Sequence, residues 1–412
     1  MQTHTYTRNA TLVGRAKRVV PGGVYGHQSA ARLPDGFPQF FARGEGSRVW
    51  DVDGNEYIDY MCAFGPIVLG HRHEAVERAV DEQRRAGACF NGPTEYWVHL
   101  AELLVEITPH ADWAWFAKNG TDATTFAVML ARAHTGKKQL LRARGAYHGS
   151  APWCTPRSAG VTPEDQANQI FYTYNDLDSV RQAVAQAGDD LAAIIVSPFR
   201  HDAWFDQEEV DPAFARGVRE LCDETGAVLI LDDVRAGFRI DLGGSWVPIG
   251  VAPDVSAYSK AIANGYPLAA VVGREELRAA AEEVFMTGSF WFAGAEMAAA
   301  VATIQTLRAT NAIAHMKRIG QMLRDGLDAQ ARAHGLRIRQ TGPVQIPFLT
   351  FVSDQHFERS FTFSSEAAKR GVYLHPWHNW FLSAAHTEED VAATLEITDI
   401  AFQVVRQVHG EG

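Results

Sequence analysis

Four short loops carry side chains that could bind or react. In "PDVSAYSKAIANGYPLAAVVG" Lys260 closes an apolar run and precedes a string of small residues. A lysine so placed either snorkels from a strand end to water or has a chemical task that offsets its desolvation. In "AVLILDDVRAGFR" Asp232 and Asp233 follow five apolar residues, so a carboxylate leaves the tip of a buried strand. A helix cap, a surface pair and a metal-binding pair fit that place as well as catalysis does. In "KNGTDATTF" Gly120 permits a tight turn, and Thr121 and Asp122 stand at a helix start whose free N–H groups attract anions. An ordinary turn capped by Thr121 or Asp122 fits too. In "GAYHGS" Tyr147 could stack on a flat ring and His148 could donate a proton or a hydrogen bond, although a Tyr-His pair in a turn is also ordinary half-buried surface.

Taken together, in this order, the four loops suit pyridoxal 5′-phosphate. The helix start takes the phosphate, Tyr147 covers the ring, Asp232 keeps the ring nitrogen protonated, and Lys260 forms the Schiff base. The pyridinium then accepts electrons from a substrate carbanion, and the displaced lysine moves the proton.

The elements that must position these groups are legible from about residue 114. "WAWFAK", "QLLRAR", "LAAIIVSPF" and "AVLILDD" are apolar runs too continuous to alternate, separated by helical stretches such as "TTFAVMLARAHTG" and "DPAFARGVRELCDETG". Strands covered on both faces by helices read this way, and ligands bind beyond their carboxyl ends. Upstream, "GSRVWDVDGNEYIDYM" is a strand–turn–strand around Asp53-Gly54 and "NATLVGRAKRVVPGG" a helix stopped by Pro21. Downstream, "AGAEMAAAVATIQTLRAT" and "HMKRIGQMLRDGLDAQARAHG" are helical, and the remaining strands and helices suit a separate C-terminal domain. The expected division is an N-terminal segment over 1–55, a large cofactor domain over 56–307 and a small domain over 308–412.

Composition narrows the function. The chain has 412 residues, 46% hydrophobic and 21% charged, with a net charge of -11. That charge argues against a general nucleic-acid binder and gives no help at an anionic membrane surface. No apolar run approaches the length of a membrane span, the first residues lack the apolar core of a signal peptide, and Cys62, Cys89, Cys154 and Cys222 are spaced as buried free thiols of a reducing cytosol. No GxGxxG follows an early strand, against a nucleotide-dependent dehydrogenase. No DNA-binding segment accompanies the intact Lys260 and Asp232, against a regulator or an inactive relative.

From "VVPGG" through "VWDVDGNEYIDY", "FGPIVLGHRHEAV", "NGTDA", "GAYHG", "LILDDVRAGFR" and "PDVSAYSKAIANGYPLAAVVG" to "LSAAHTEEDVAATLE", the chain resembles the class III aminotransferases of pyridoxal-phosphate fold type I. It is nearest in style to glutamate-1-semialdehyde aminomutase. The resemblance implies an α/β fold with a mostly parallel seven-stranded sheet, plus a small α+β domain formed by both chain ends. It implies an aminotransferase acting between small-molecule amine and keto substrates, with an aminomutase, racemase or ammonia-lyase as alternatives. It puts the ring-nitrogen carboxylate on Asp232 with Val234 behind the ring, the stacking aromatic on Tyr147 beside His148, the phosphate loop on Gly120 and Thr121, and the Schiff base on Lys260. It further implies a homodimer in which Ser289, with Thr287 close by, reaches the neighbour's phosphate.

Departures from the family pattern bear on the substrate. Ser197 replaces the usual glutamate before proline, in "SPFRH", and Trp291-Phe292 precede Ala293-Gly294 where Asn-Pro is usual. Ser29 stands where the semialdehyde enzymes place a carboxylate-binding arginine, with Arg32 the nearest arginine. Tyr25, His27, Arg32, Phe64, Arg200 and Trp291 are candidate substrate contacts, with Trp204, Trp377 and His378 as further pocket aromatics. Arg200, Arg32 and Arg235 could each pair with an acidic substrate, Arg235 being expected at the solvated surface.

Overall fold

The computed structural model describes residues 4–29, 31–34, 37–202 and 205–411, without the side chain of His27. Trp204 lies outside the described residues. The chain divides into two compact units. The large unit takes Glu74–Asp202 and Gln207–Ile313; the second takes Met1–His73, Ala203–Asp206 and Ala314–Gly412.

In the large unit seven strands make one sheet: β1 (Trp113–Ala117), β2 (Gln139–Ala143), β3 (Gln169–Tyr172), β4 (Leu191–Val196), β5 (Val228–Asp232), β6 (Val255–Tyr258) and β7 (Ala269–Gly273). Their order across the sheet is β1, β7, β6, β5, β4, β2, β3. The five strands from β6 to β3 pair in parallel. Only β7 runs against its neighbours β6 and β1, so the sheet is mostly parallel, as the resemblance implies.

The continuous apolar runs have a direct cause. On one face Leu140, Ile195, Ile230 and Val271 pack under Phe126 and Leu130 of helix α1 (Gly120–Thr135). On the other, Leu141, Ile194, Leu229 and Leu231 pack under Val180 of helix α2 (Leu177–Ala187) and Phe214 and Val218 of helix α3 (Pro212–Thr225). With neither face left to water, successive residues are apolar, and each large side chain buried contributes about 1.5–3 kcal/mol. Helix α4 (Gly294–Ala309) is apolar around most of its circumference and largely buried, as a helix enclosed by neighbours must be.

In the second unit the strand Arg48–Asp51 pairs antiparallel with Glu56–Asp59, with Val49 opposite Tyr57. Glu56–Asp59 also pairs in parallel with Val372–Tyr373, so early and late parts of the chain share one sheet. For that reason the division falls after His73, where the sequence reading puts it after residue 55. The later division falls after Ile313 and not residue 307, because α4 continues to Ala309. Cys62, Cys154 and Cys222 are buried free thiols, but Cys89 is exposed, against the expectation for it. No helix among the described residues is long and apolar enough to cross a membrane.

Candidate active site

The carboxyl ends of β1, β2, β5 and β6 bring the four loops of the sequence reading to one edge of the sheet. After β1 the chain turns into α1. The cap is Asn119, not Thr121 or Asp122: its side chain accepts from the Asp122 N–H at 3.1 Å, while the Asp122 carboxylate accepts from Asn119 Nδ2 at 2.8 Å. The N–H groups of Gly120 and Thr121 belong to the first turn, where no helical carbonyl is available to them, and they make a positive, anion-seeking end. Gly120 is required by packing, because a Cβ there would lie 2.7 Å from Val234 Cγ1.

The turn after β2 is tied to this helix end. Thr124 Oγ1 donates to the His148 carbonyl at 2.7 Å, and the Ser150 N–H donates to Thr121 Oγ1 at 3.1 Å. Gly149 has φ +129°, and a Cβ there would meet Thr121 Oγ1 at 2.6 Å, so a larger residue would push the turn off the start of α1. His148 is buried, with Nδ1 2.7 Å from Asp232 Oδ2. Tyr147 keeps an exposed ring face.

The two aspartates at the end of β5 have separate tasks. Asp232 Oδ1 accepts from the Val234 N–H at 3.3 Å and Oδ2 from His148. Asp233 is consumed structurally: Ser245 Oγ and N–H donate to its two oxygens at 2.5 and 2.8 Å. Burial pushes its pKa up to about 6 despite those hydrogen bonds.

Lys260 follows Ser259 at the end of β6, with φ +49°. Its surface is part-accessible, as a residue facing a cleft must be, yet protein atoms surround the amine. That desolvation, with the nearby cations Arg235 and Arg239, pushes its pKa down to about 7 against the opposing pull of Asp232. A sizeable share of the amine is therefore neutral and nucleophilic at neutral pH.

Arg235 corrects the sequence reading: it is buried, not solvated. Burial lowers its pKa to about 10, while Asp232, Tyr147 and Asp202 favour its cation. Arg200 Nε donates to Asp202 Oδ2 at 2.9 Å, and its Nη1 lies 3.8 Å from Glu208 Oε2. Thr287 and Ser289 are exposed on the segment that ends at Trp291, whose ring meets Trp115 edge-on at 5.1 Å. Trp291 is thus anchored against the α1 face of the sheet. Tyr25, Arg32 and Phe64 belong to the second unit. Tyr25 is exposed there, the Arg32 carbonyl accepts from Trp377 Nε1 at 3.0 Å, and Phe64 meets His375 and His378 edge-on at 5.9 and 5.2 Å. Trp377 and His378 are buried in that unit. The His27 side chain lies outside the described residues.

Two residues stand out that the sequence reading did not place in the site. His201 is buried among Arg235, Lys260 and His148. Gly149 holds the turn against Thr121. The signal for His201 was its place a few residues beyond β4, the strand between β5 and β2.

These groups fit pyridoxal 5′-phosphate. A positive helix end suits a phosphate, a buried strand-end carboxylate suits a pyridinium nitrogen, a depressed-pKa amine suits an aldehyde, and His148 Nε2 is a buried polar atom with no protein partner. The same fit appears in comparisons with known proteins. Residues 30–397 match the model of the family described as aminotransferase class-III. The chain is 50% identical to an aminopentol aminotransferase of Sphingopyxis macrogoltabida, over 97% of this chain and 94% of that protein. It is 34% identical to a glutamate-1-semialdehyde 2,1-aminomutase of Chloroflexus aurantiacus, over 97% of each. Among solved structures, the internal aldimine form, with pyridoxal phosphate, of the FumI protein of Sphingopyxis sp. MTA144 superposes with a TM-score of 0.96 at 49% identity, covering 97% of both chains.

Proposed function

We infer what this chain does from the family to which it belongs, the class III aminotransferases. It is a pyridoxal 5′-phosphate-dependent aminotransferase, and we propose that its amine donor carries hydroxyl groups and no carboxylate beside the nitrogen. The observation against a carboxylate beside the nitrogen is the state of Arg200; the hydroxyl groups follow from likeness to a relative named for an aminopentol. Its Nε is taken by Asp202 at 2.9 Å, with Glu208 alongside, so its charge is already neutralised from within the protein. Arg235 is buried, and Asp232 and Asp202 favour its cation. A substrate carboxylate would have to compete with both. The 50% identical relative is named for an aminopentol, an amine of the proposed kind.

The cofactor supplies an aldehyde for exchange with amines and a ring that draws electrons from a breaking C–H bond. Gly120 and Thr121 would hold the phosphate end, with Tyr147 and Val234 as the residues that would pack against the ring. The Asp232 carboxylate would hold a proton on the ring nitrogen, and His148 orients that carboxylate through the 2.7 Å contact. Lys260 Nζ, neutral in good part at pH 7, would be the amine that meets the cofactor's aldehyde end and the base that carries the proton from the substrate carbon. We also infer a homodimer, supported by the exposed Phe285 and Phe290 flanking Thr287 and Ser289; Ser289 would then reach the neighbour's phosphate loop. The buried free thiols of Cys62, Cys154 and Cys222 support a cytoplasmic place.

The test is a panel of amines with a keto acid acceptor, scored by product mass and by conversion of the cofactor absorbance to the pyridoxamine form. Hydroxylated amines without a carboxylate should turn over ahead of α-amino acids. A preference for α-amino acids, or a rearranged product formed without any keto acid, would replace this reading with a carboxylate-specific or isomerising one.

A further inference from the structure

The segment Ser197–Asp202 begins at Ser197, which departs from the family pattern, and supplies none of the groups that would hold the cofactor or move the proton. It leaves β4, the strand lying between β5, which ends in Asp232, and β2, which leads to Tyr147 and His148. It therefore opens onto the same edge of the sheet. Its backbone is pinned from beneath: Tyr174 Oη donates to the Ser197 carbonyl at 3.0 Å and Trp246 Nε1 to the Pro198 carbonyl at 3.3 Å. Phe199, opposite Glu209 in a short antiparallel pair, is buried with its ring edge-on to His201 at 5.3 Å.

Two polar side chains on this pinned segment are more than nine-tenths buried and lack a protein partner for one atom each: Ser197 Oγ and His201 Nδ1. A buried polar atom without a hydrogen bond is unfavourable, and native proteins rarely leave one unanswered. Two such atoms four residues apart on one segment, at the edge where Lys260 and Asp232 gather, point to a partner supplied by the ligand. The chemistry of that partner follows from theirs. His201 stands among Arg235, Lys260 and His148, and burial together with the charges of Arg235 and Lys260 holds its pKa well below the ordinary histidine value. It is neutral, with one ring nitrogen donating and the other accepting. Ser197 likewise donates and accepts. Neither offers a charge to a carboxylate; both match a group that itself gives and takes a hydrogen bond.

We propose that Ser197 and His201 form a specificity-determining pair that hydrogen-bonds a hydroxyl group of the amine donor. This rests on the donor class inferred above and adds the residues that read it. A site built to bond a hydroxyl discriminates against the analogue lacking it, because its own polar atoms are then left unpaired.

The experiment compares 2-aminoalkanes with their monohydroxylated counterparts of equal length, the hydroxyl placed at successive carbons. The readout is the ratio of kcat/KM for each hydroxylated amine to that for its parent. Wild-type enzyme should favour at least one placement by about tenfold or more, and Ser197→Ala and His201→Leu should each cut that ratio by about tenfold, mainly through KM. A general structural defect lowers both rates and leaves the ratio alone. An unchanged ratio in Ser197→Ala overturns the proposal even if His201→Leu fails to fold. Loss of cofactor absorbance in a folded variant overturns it as well, by assigning the pair to the cofactor. Failure of wild-type enzyme to use any of these amines overturns the donor class itself; turnover without hydroxyl preference overturns only the role of the pair.

Discussion

Arg235→Met should delay the reactivity of Lys260 to higher pH. The Lys260 amine sits at about 7, with Arg235 the largest cause after burial. An ordinary lysine near 10.5 would be only about 0.03% neutral at pH 7, against roughly half for Lys260. The setting is thus worth on the order of a thousandfold in nucleophile. Removing one buried like charge raises the apparent pKa by about one unit. At pH 6 the neutral fraction then drops from about 9% to about 1%, while at pH 9 it changes by less than about twofold. The assay mixes apoprotein with pyridoxal 5′-phosphate across pH and follows the absorbance of covalent attachment, with circular dichroism checking that the variant is folded. The shape of the profile is the test, since amplitude also reflects phosphate affinity. A midpoint that stays near 7, or moves down, refutes the role assigned to Arg235.

Further outcomes follow from the same geometry. Asp232→Asn should retain cofactor yet lose transamination by about a hundredfold or more in single-turnover measurement, because an amide cannot hold the ring nitrogen protonated. Gly120→Ala should weaken cofactor affinity by about tenfold in titration, since its methyl would lie 2.7 Å from Val234 Cγ1 and the loop must shift. Gly320→Ala, in the helix Ala312–Ala333, should lower the denaturation midpoint without altering cofactor affinity. Its Cβ would fall 2.1 Å from the Val344 carbonyl oxygen, an overpacking worth about 1–3 kcal/mol. Apoprotein stability should rise as pH climbs from about 7 toward 10.5, because there the unfolded chain holds a proton on Lys260 that the folded chain has released; Lys260→Met should remove that slope in denaturant titrations.

What the sequence made legible was the part governed by local rules. Apolar runs announced strands covered on both faces, and the residues just past their ends marked the edge where Gly120, Tyr147, His148, Asp232 and Lys260 gather. Tertiary neighbours decided the rest. Nothing local distinguishes Asp232 from Asp233; Ser245, twelve positions on, does so by occupying Asp233. Arg235 follows the strand end as a surface arginine might, and only the folded chain shows it enclosed with Asp232 and Asp202. Ser197 stood out in sequence as a departure from the family pattern, but that its hydroxyl and His201 each keep an unanswered polar atom at the strand edge shows only in the folded chain. The division after His73 depended on the pairing of Glu56–Asp59 with Val372–Tyr373, more than 300 positions apart and invisible to any local pattern.

The reversed strand β7 has one more effect. It occupies the slot between β1, which leads to the start of α1, and β6, which leads to Lys260. Strands lie about 4.8 Å apart, so the anion-seeking helix end and the reactive lysine start from strands roughly two spacings, or about 10 Å, apart, with Asp232 one strand further along. The sheet is in effect a ruler. Its graduations are hydrogen-bonded strands that side-chain motion does not change, so a ligand is sorted by the distance between its anion and its electrophilic carbon before any side chain recognises its chemistry.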